Sequence, residues 1–265
     1  MLLQFVNALS FSLLLYMLTS GFSLIFGFMR VANMTHGVMY LFGSYIAYTT
    51  IKVTGNFILS GLTAAVTIAL IGLIIDPILN RILFGKELEQ VLLTFGLLYV
   101  FEDIMKWIWG TNVLSINRPA AIAGTVTMLG FGFPTYRLVV IGVGIAIIVG
   151  LRLFIQKTRI GMIIRAGIDD RDMVNASGIN VMTYFTIVFI IGSALAGLSG
   201  WLGGGFLQVY PGLDLTILIF SLIVVVVGGL GNLNGALIGS LIIGFAHTFG
   251  KAYSPEYGAY VPHAV

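Results

Sequence analysis

The side chains able to do chemistry are few in this chain, and their spacing forms no catalytic centre. None of the 265 residues is Cys, which excludes a thiolate nucleophile and a thiolate metal site, and the three His are far apart. No Ser/His/Asp set, catalytic carboxylate pair or metal-ligand spacing occurs. The Gly-rich stretch Gly228–Gly235 lacks the Lys and the Ser or Thr of a nucleotide phosphate loop. The sequence therefore predicts no catalytic residue, no metal site and no cofactor bound by this chain.

The longest charged stretch, Gln156–Asn180, predicts a short amphipathic helix in water. Charged side chains recur there at helical spacing, at Arg165, Asp169 and Asp172. An apolar edge accompanies them, at Ile164, Ile168 and Met173. Gly178 is a suitable residue to end this helix. Such a helix can lie in a groove on a soluble partner; the alternative is a solvated connector whose charges only anchor membrane topology.

Two polar breaks interrupt the apolar sequence, and each places an Asn and a Gly before a short apolar run. The first contains Asn33, His36 and Gly37, and the second contains Asn232 and Asn234. A non-helical polar turn at membrane depth is tolerated only where protein or a water-filled cavity satisfies it. We therefore expect these five residues to line a translocation path. The alternatives are a structural hydrogen bond for His36 and satisfaction of helix-end backbone groups for the two later Asn residues.

The composition indicates which elements must position these residues. Hydrophobic residues make up 58% of the chain and charged residues only 9%, with a mean hydropathy of +1.06, so this is a polytopic membrane protein. A net charge of +3 is weak evidence for a nucleic-acid partner, and none is predicted. Eight apolar runs follow one another, at about Leu9–Phe28, Gly37–Thr50, Phe57–Ile75, Val91–Trp109, Leu138–Phe154, Met182–Gly200, Leu213–Val227 and Gly235–Phe249.

These runs predict an all-α transmembrane bundle of about eight spans, formed by a single domain over residues 1–265. The runs that start at Gly37, Leu213 and Gly235 are shorter than the roughly 20 residues that cross a bilayer. Short interrupted segments are typical of broken or re-entrant helices near a transport path. We therefore expect short or broken helices at these three places.

The distribution of Lys and Arg orients the bundle. If the Gln156–Asn180 loop is cytoplasmic, that side carries eight of the thirteen Lys and Arg residues and the other side carries five. Glu102 and Lys106 are four residues apart near the end of one span, so we expect them to pair and to reach the outer interface.

Small residues recur every four positions at Gly192, Ala196 and Gly200, and again at Gly235 and Gly239. This spacing lets helix backbones approach closely. Packing within one bundle is the plain interpretation, and a dimer interface is the alternative.

Several ordered motifs together resemble the permease subunits of bacterial ABC importers for branched-chain amino acids, of the LivH type. They are SGFSLIFGFMRVANMTHGVMYLFGSY at Ser20–Tyr45, TRIGMIIRAGIDDRDMVNASGIN at Thr158–Asn180, GSALAGLSG at Gly192–Gly200 and VVGGLGNLNGALIGSLIIG at Val226–Gly244. The resemblance covers essentially the whole chain. It implies an inner-membrane subunit that pairs with a second homologous permease, binds two ATPase subunits and receives substrate from a periplasmic binding protein. ATP and Mg would then be bound by the ATPase subunits.

The resemblance also implies that the loop is the coupling helix that docks into an ATPase groove. The residues it assigns to coupling are Arg165, Ala166, Asp169, Asp170, Arg171 and Gly178. Arg165–Ala166–Gly167 stands where a generic Glu–Ala–Ala opening is expected. A second departure is at Tyr257–Val265, where family members continue, so the resemblance predicts that a final C-terminal helix is lacking.

Two other transport functions compete with amino-acid import. Urea or short-amide permeases share segments such as Arg30–Gly37 and Gly228–Gly231, but they usually carry a long extra amino-terminal region. A proton-coupled secondary carrier would place acidic residues or His in mid-span for proton relay, and it would leave the charged loop without a role.

Overall fold

In a computed structural model of the chain, the structure describes residues 1–29, 33–83, 85–116, 118–128 and 131–253. The predicted lack of a final helix at Tyr257–Val265 falls outside these residues. Arg30, which precedes the first polar break, also lies outside them. Within the described ranges the helices are α1 (Leu2–Met29), α2 (Thr35–Thr54), α3 (Phe57–Pro77), α4 (Glu87–Trp109), α5 (Ala120–Ala123), α6 (Thr135–Lys157), α7 (Arg159–Asp169), α8 (Arg171–Ala176), α9 (Val181–Phe206), α10 (Leu213–Gly228) and α11 (Leu233–Tyr253).

Two small elements join the longer helices. A π-helical turn, Ile78–Ile82, continues directly from α3. An antiparallel hairpin of β1 (Thr125–Met128) and β2 (Phe131–Pro134) precedes α6 and pairs Val126 with Phe133. The prediction of an all-α membrane protein fits the structure, with this hairpin as a local addition.

Tight capping joins α2 to α3. Gly55 ends α2 with φ 67°, a left-handed conformation that Gly adopts without strain, and its N–H donates to the Ile51 carbonyl at 2.8 Å. Asn56 then caps α3, because its side-chain oxygen accepts from the Leu59 N–H at 3.0 Å. The two helices are therefore antiparallel neighbours.

Two of the three segments expected to be short are full-length helices. The run predicted from Gly37 lies in the 20 residues of α2, and the run predicted from Gly235 lies in the 21 residues of α11. In α2 the helix continues past the predicted end at Thr50, and the Thr54 hydroxyl bonds back to the Thr50 carbonyl at 2.7 Å. Only α10, with 16 residues, is short as expected.

Five helices in the described parts of the chain are long and apolar enough to cross a membrane. They are α1, α3 with its π-turn, α6, α9 and α11; α10 is a shorter apolar helix. The 23 residues of α4 include charged side chains at both ends, such as Glu87 and Lys106.

The centre of the bundle is formed by α1 and α9. The side chains of α1 are mostly apolar on every face. A helix of this kind is stable only when other helices or lipid cover it on all sides. It packs against α11, α9, α6 and α10, while α9 also packs against α3 and α2. Outward positions such as Ile58, Ile74 and Leu92 are exposed and apolar, so lipid or another apolar surface must cover them.

The small-residue positions bring these helices together within the chain. A Cβ on Gly192 would lie 2.9 Å from the Gly21 carbonyl oxygen on α1, and a Cβ on Gly239 would lie 2.6 Å from the Val224 carbonyl oxygen on α10. Gly200 meets the backbone of Tyr40 on α2 in the same way. The prediction of close packing within one bundle is confirmed.

Candidate functional site

The charged loop forms two helices, and the prediction of one continuous amphipathic helix is wrong. Asp170 separates α7 from α8 with an extended backbone, φ −149° and ψ 100°. Its carboxylate accepts from the Met173 N–H at 2.9 Å and thereby caps α8. Asp172 therefore does not continue the face of Arg165 and Asp169.

The first of these helices, α7, lies along the bundle. Ile164 is buried, and Gly161 is so close to the carbonyl oxygens of Phe154 and Ile155 that no Cβ would fit. Arg165, Ala166 and Asp169 are exposed on α7. The residues that the resemblance assigns to coupling are thus accessible to a partner, while the apolar edge faces the core.

The second helix, α8, is less deeply packed. The guanidinium of Arg171 lies over the ring of Phe185, with its carbon 4.7 Å from the ring centroid. Met173 is 65% exposed whereas Ile164 on α7 is buried, so the two residues do not form one apolar edge as predicted. Gly178 follows α8 with φ 82° and donates its N–H to the Asn175 carbonyl at 3.0 Å. Its predicted role as a helix stop is confirmed.

The first polar break is buried against α1. The Asn33 side-chain oxygen accepts from the Thr35 N–H at 3.1 Å and from its hydroxyl at 2.5 Å. The His36 Nε2–H donates to the Leu18 carbonyl at 3.0 Å, and its ring contacts Phe22. The Asn33 amide nitrogen and the His36 Nδ1 are buried without a hydrogen-bond partner in the described chain. His36 thus makes the structural bond that was the alternative, and its place in a path stays a prediction.

Gly37 allows the first turn of α2 to touch α10. A Cβ at this position would lie 2.8 Å from the Leu218 Cβ and would also meet the Asp214 carbonyl oxygen. Asp214 itself is fully buried, and its Oδ1 accepts from the Gly212 N–H at 3.1 Å. Its Oδ2 has no hydrogen-bond partner among the residues the structure describes.

Two buried acids were missed by the sequence analysis. Asp214 lies in the first turn of α10, and Asp76 lies near the end of α3, where it accepts from the Thr186 hydroxyl on α9 at 2.5 Å and from the Asn80 amide. Placing an ionisable residue inside an apolar span costs free energy, and such residues mark functional sites. Each single Asp was therefore a signal in the sequence.

The second polar break lies at the end of the bundle where α1 ends, since Gly231 packs against Gly27 of α1. Asn232 and Asn234 are exposed and line a cavity of about 300 Å³ that Arg152 and Arg165 also line. Asn33, His36 and Gly37 do not line it. Asn232 and Asn234 therefore share a cavity with Arg165, a predicted coupling residue, and the five predicted path residues do not all line it.

Asn232 caps α11, because its side-chain oxygen accepts from the N–H groups of Asn234 at 3.0 Å and Gly235 at 3.1 Å. We expect Asn232→Ala to cost about 1 kcal/mol and to lower the thermal midpoint in detergent by about 2–4 °C. Asn234→Ala is the matched control, since it removes the same side chain two residues later. Equal losses in the two variants would contradict a capping role.

The predicted pair at the other end of the bundle is present. The Lys106 Nζ lies 3.0 Å from a Glu102 carboxylate oxygen and 3.5 Å from an Asp103 carboxylate oxygen. Trp107 beside it is 90% exposed.

Comparison with known proteins decides the family. Residues 4–265 match the model of the branched-chain amino acid transport system permease component. The chain belongs to this permease family. It is therefore a multi-pass membrane protein and a transport component, and the prediction that it is not an enzyme is confirmed by this membership.

Curated relatives of this permease agree along nearly its whole length. It is 27% identical to the high-affinity branched-chain amino acid transport system permease protein BraD of Pseudomonas aeruginosa, over 93% of this chain and 85% of that protein. It is 26% identical to the LivH permease protein of the corresponding system of Escherichia coli, over 99% and 90%. It is 28% identical to a probable LivH permease of Methanocaldococcus jannaschii, over 91% and 78%. No solved structure matches the chain.

Proposed function

We propose that this permease forms one part of the translocation path of an ATP-driven importer for branched-chain or other hydrophobic amino acids. The observation that carries the proposal is the family match over residues 4–265. The names of the relatives support the substrate class, since each names branched-chain amino acid transport. They give no support to urea or short amides.

The remaining parts of the importer are proposed from the same membership. They are a second homologous permease, two ATPase subunits and a periplasmic binding protein, with ATP and Mg held by the ATPases and no cofactor held by this chain. The exposed apolar positions on the outside of the bundle, including Ile58 and Leu92, suit a permease partner or lipid. The exposed residues Arg165, Ala166 and Asp169 on α7 suit an ATPase groove.

In the proposed topology the chain is one domain in the bacterial inner membrane. The eight helices of 16 residues or more in the described ranges would be its spans, with residues 156–180 as the cytoplasmic coupling loop. The excess of Lys and Arg on that side supports the orientation. Asp170 would then set the angle between α7 and α8 at the ATPase surface, and Gly178 would end α8.

Reconstitution in proteoliposomes tests the proposal. The complete set of subunits should take up leucine only when ATP and the binding protein are both supplied. This permease alone should neither hydrolyse ATP nor take up leucine. Uptake by the permease alone under a proton gradient would support a secondary carrier instead, and uptake of urea but not leucine would support the short-amide alternative.

The first polar break remains a predicted part of the path, although it is buried in this structure. We expect a His36→Cys chain, otherwise free of Cys, to react with a charged thiol reagent in at least one nucleotide state of the assembled importer. Ala64→Cys on α3 is a buried control, and Asn234→Cys is an exposed one. Protection of His36→Cys equal to that of Ala64→Cys in every state would contradict a place in the path.

A further inference from the structure

The cavity that Arg165 lines is near the ends of α1 and α6. Arg152 lies five residues before the end of α6, and Leu24 lies five residues before the end of α1. At 1.5 Å per residue, both lie about 8 Å from their helix ends. Tyr16 lines the inner end, about 12 Å further along α1 than Leu24. The cavity therefore extends from the interface towards the apolar interior.

The cavity carries positive charge. Arg152 and Arg165 line it, and among the residues that the structure describes no Asp or Glu does. The salt bridges within the described chain are those of Lys106, at another part of the bundle. Two guanidinium groups at one cavity favour an anion there, and their forked donors match the oxygens of a phosphate. The side-chain amides of Gln156 and Asn234 add donors in the same cavity.

The inner wall is apolar, and this decides what kind of anion fits. Leu24, Ile148 and Leu237 line it together with the ring of Tyr16. An acidic side chain from a soluble partner would pair with the arginines and leave this wall uncovered. A phospholipid would satisfy both parts, with its phosphate at the arginines and the start of an acyl chain along the wall. The volume of about 300 Å³ is at the lower end of the range of small-molecule sites.

We infer that this cavity binds the phosphate headgroup of an anionic phospholipid from the membrane leaflet at that end of the bundle. Basic pockets between transmembrane helices are a known way of holding such headgroups. The bound lipid would link α6 and α7 to the start of α11, so it would lie between the proposed coupling helix and the bundle.

Native mass spectrometry of the full chain in detergent tests the inference. With phosphatidylglycerol and phosphatidylcholine of matched acyl chains, we expect one retained phosphatidylglycerol per chain and at least tenfold weaker retention of phosphatidylcholine. The double variant Arg152→Gln with Arg165→Gln should retain about tenfold less phosphatidylglycerol than the unchanged chain. Lys157→Gln with Arg159→Gln is the matched control, since both residues are exposed and lie outside the cavity lining. Their substitution removes the same amount of positive charge.

A separate variant keeps the charges and fills the cavity. Leu237→Trp should displace phosphatidylglycerol although both arginines remain, so the inference stays testable if the double arginine variant does not fold. Equal retention of the two lipids, or equal losses in the arginine pair and the Lys157/Arg159 control, would overturn the inference. Displacement of the lipid by an equal concentration of inorganic phosphate would also overturn it, in favour of a free-anion site.

Discussion

A Gly200→Leu chain is expected not to form its folded bundle. A Cβ at Gly200 would overlap the Tyr40 carbonyl oxygen on α2 and lie 3.0 Å from the Ser44 amide nitrogen. Because these are backbone atoms, they cannot rotate away as a side chain can. Separation of the helices would also break the bond from the Ser44 hydroxyl to the Gly200 carbonyl, which is 2.7 Å long. Overpacking costs about 1–3 kcal/mol where neighbours can yield, so here we expect at least the upper end.

The recovery of monodisperse protein from detergent extracts measures this effect, and thermal unfolding measures any fraction that is recovered. Gly96→Leu on α4 is the matched control, because nothing lies within 4 Å of a Cβ at that position. Normal recovery of Gly200→Leu with an unchanged thermal midpoint would show that α2 and α9 do not pack as described.

Reversal of charge at Asp169 and Asp170 should abolish ATP-driven uptake while the permease stays in the membrane. Both side chains are exposed at the junction of α7 and α8. In the proposed contact with the ATPase, exchanging two carboxylates for two ammonium groups removes the charge complementarity of the interface, and a wrong charge there costs several kcal/mol. Each 1.4 kcal/mol is a factor of ten. We therefore expect uptake by the assembled importer to fall about 100-fold or more when both are changed to Lys.

The capping role of Asp170 must be separated from its charge. Asp169→Lys with Asp170→Asn keeps a side-chain acceptor for the Met173 N–H, and it should lose uptake nearly as completely as the double Lys variant. Glu87→Lys at the start of α4 is the control, since it reverses the charge of another exposed acid. Survival of uptake in Asp169→Lys with Asp170→Asn, at normal expression, would argue against a coupling role for Asp169.

The family and the helical membrane fold could be predicted from the sequence because apolar composition and ordered motifs extend over the whole chain. Helix ends could not be predicted equally well. The predicted run ends at Thr50, before Lys52, whereas α2 continues to Thr54, whose hydroxyl bonds to the Thr50 carbonyl. The break at Asp170 was missed because helical spacing alone cannot show that a carboxylate will cap a new helix.

The candidate site was predicted less completely than the fold. Asn232 and Asn234 meet Arg165 at one cavity because α7 folds back against α1 and α6, and sequence spacing does not report such a return. Asp214 and Asp76 each stand alone within an apolar segment, so no motif marked them. The contact between Gly37 and α10 joins residues about 180 positions apart, and only the tertiary structure reveals it.

The burial of α1 has a consequence for the order in which the chain matures during synthesis. This helix is made before the other described helices, yet the helices that cover it, α9 and α11, are made late in that order. Leu14 accepts from the Ser199 hydroxyl, and Ser12 lies against Gly244, so these contacts span more than 180 residues. Non-local contacts of this kind form late, because closing the long intervening chain costs entropy before the contacts can stabilise it. Until then α1 must remain in lipid as an incompletely packed helix, and the interval before α11 emerges is when a nascent chain is most exposed to misassembly and proteolysis.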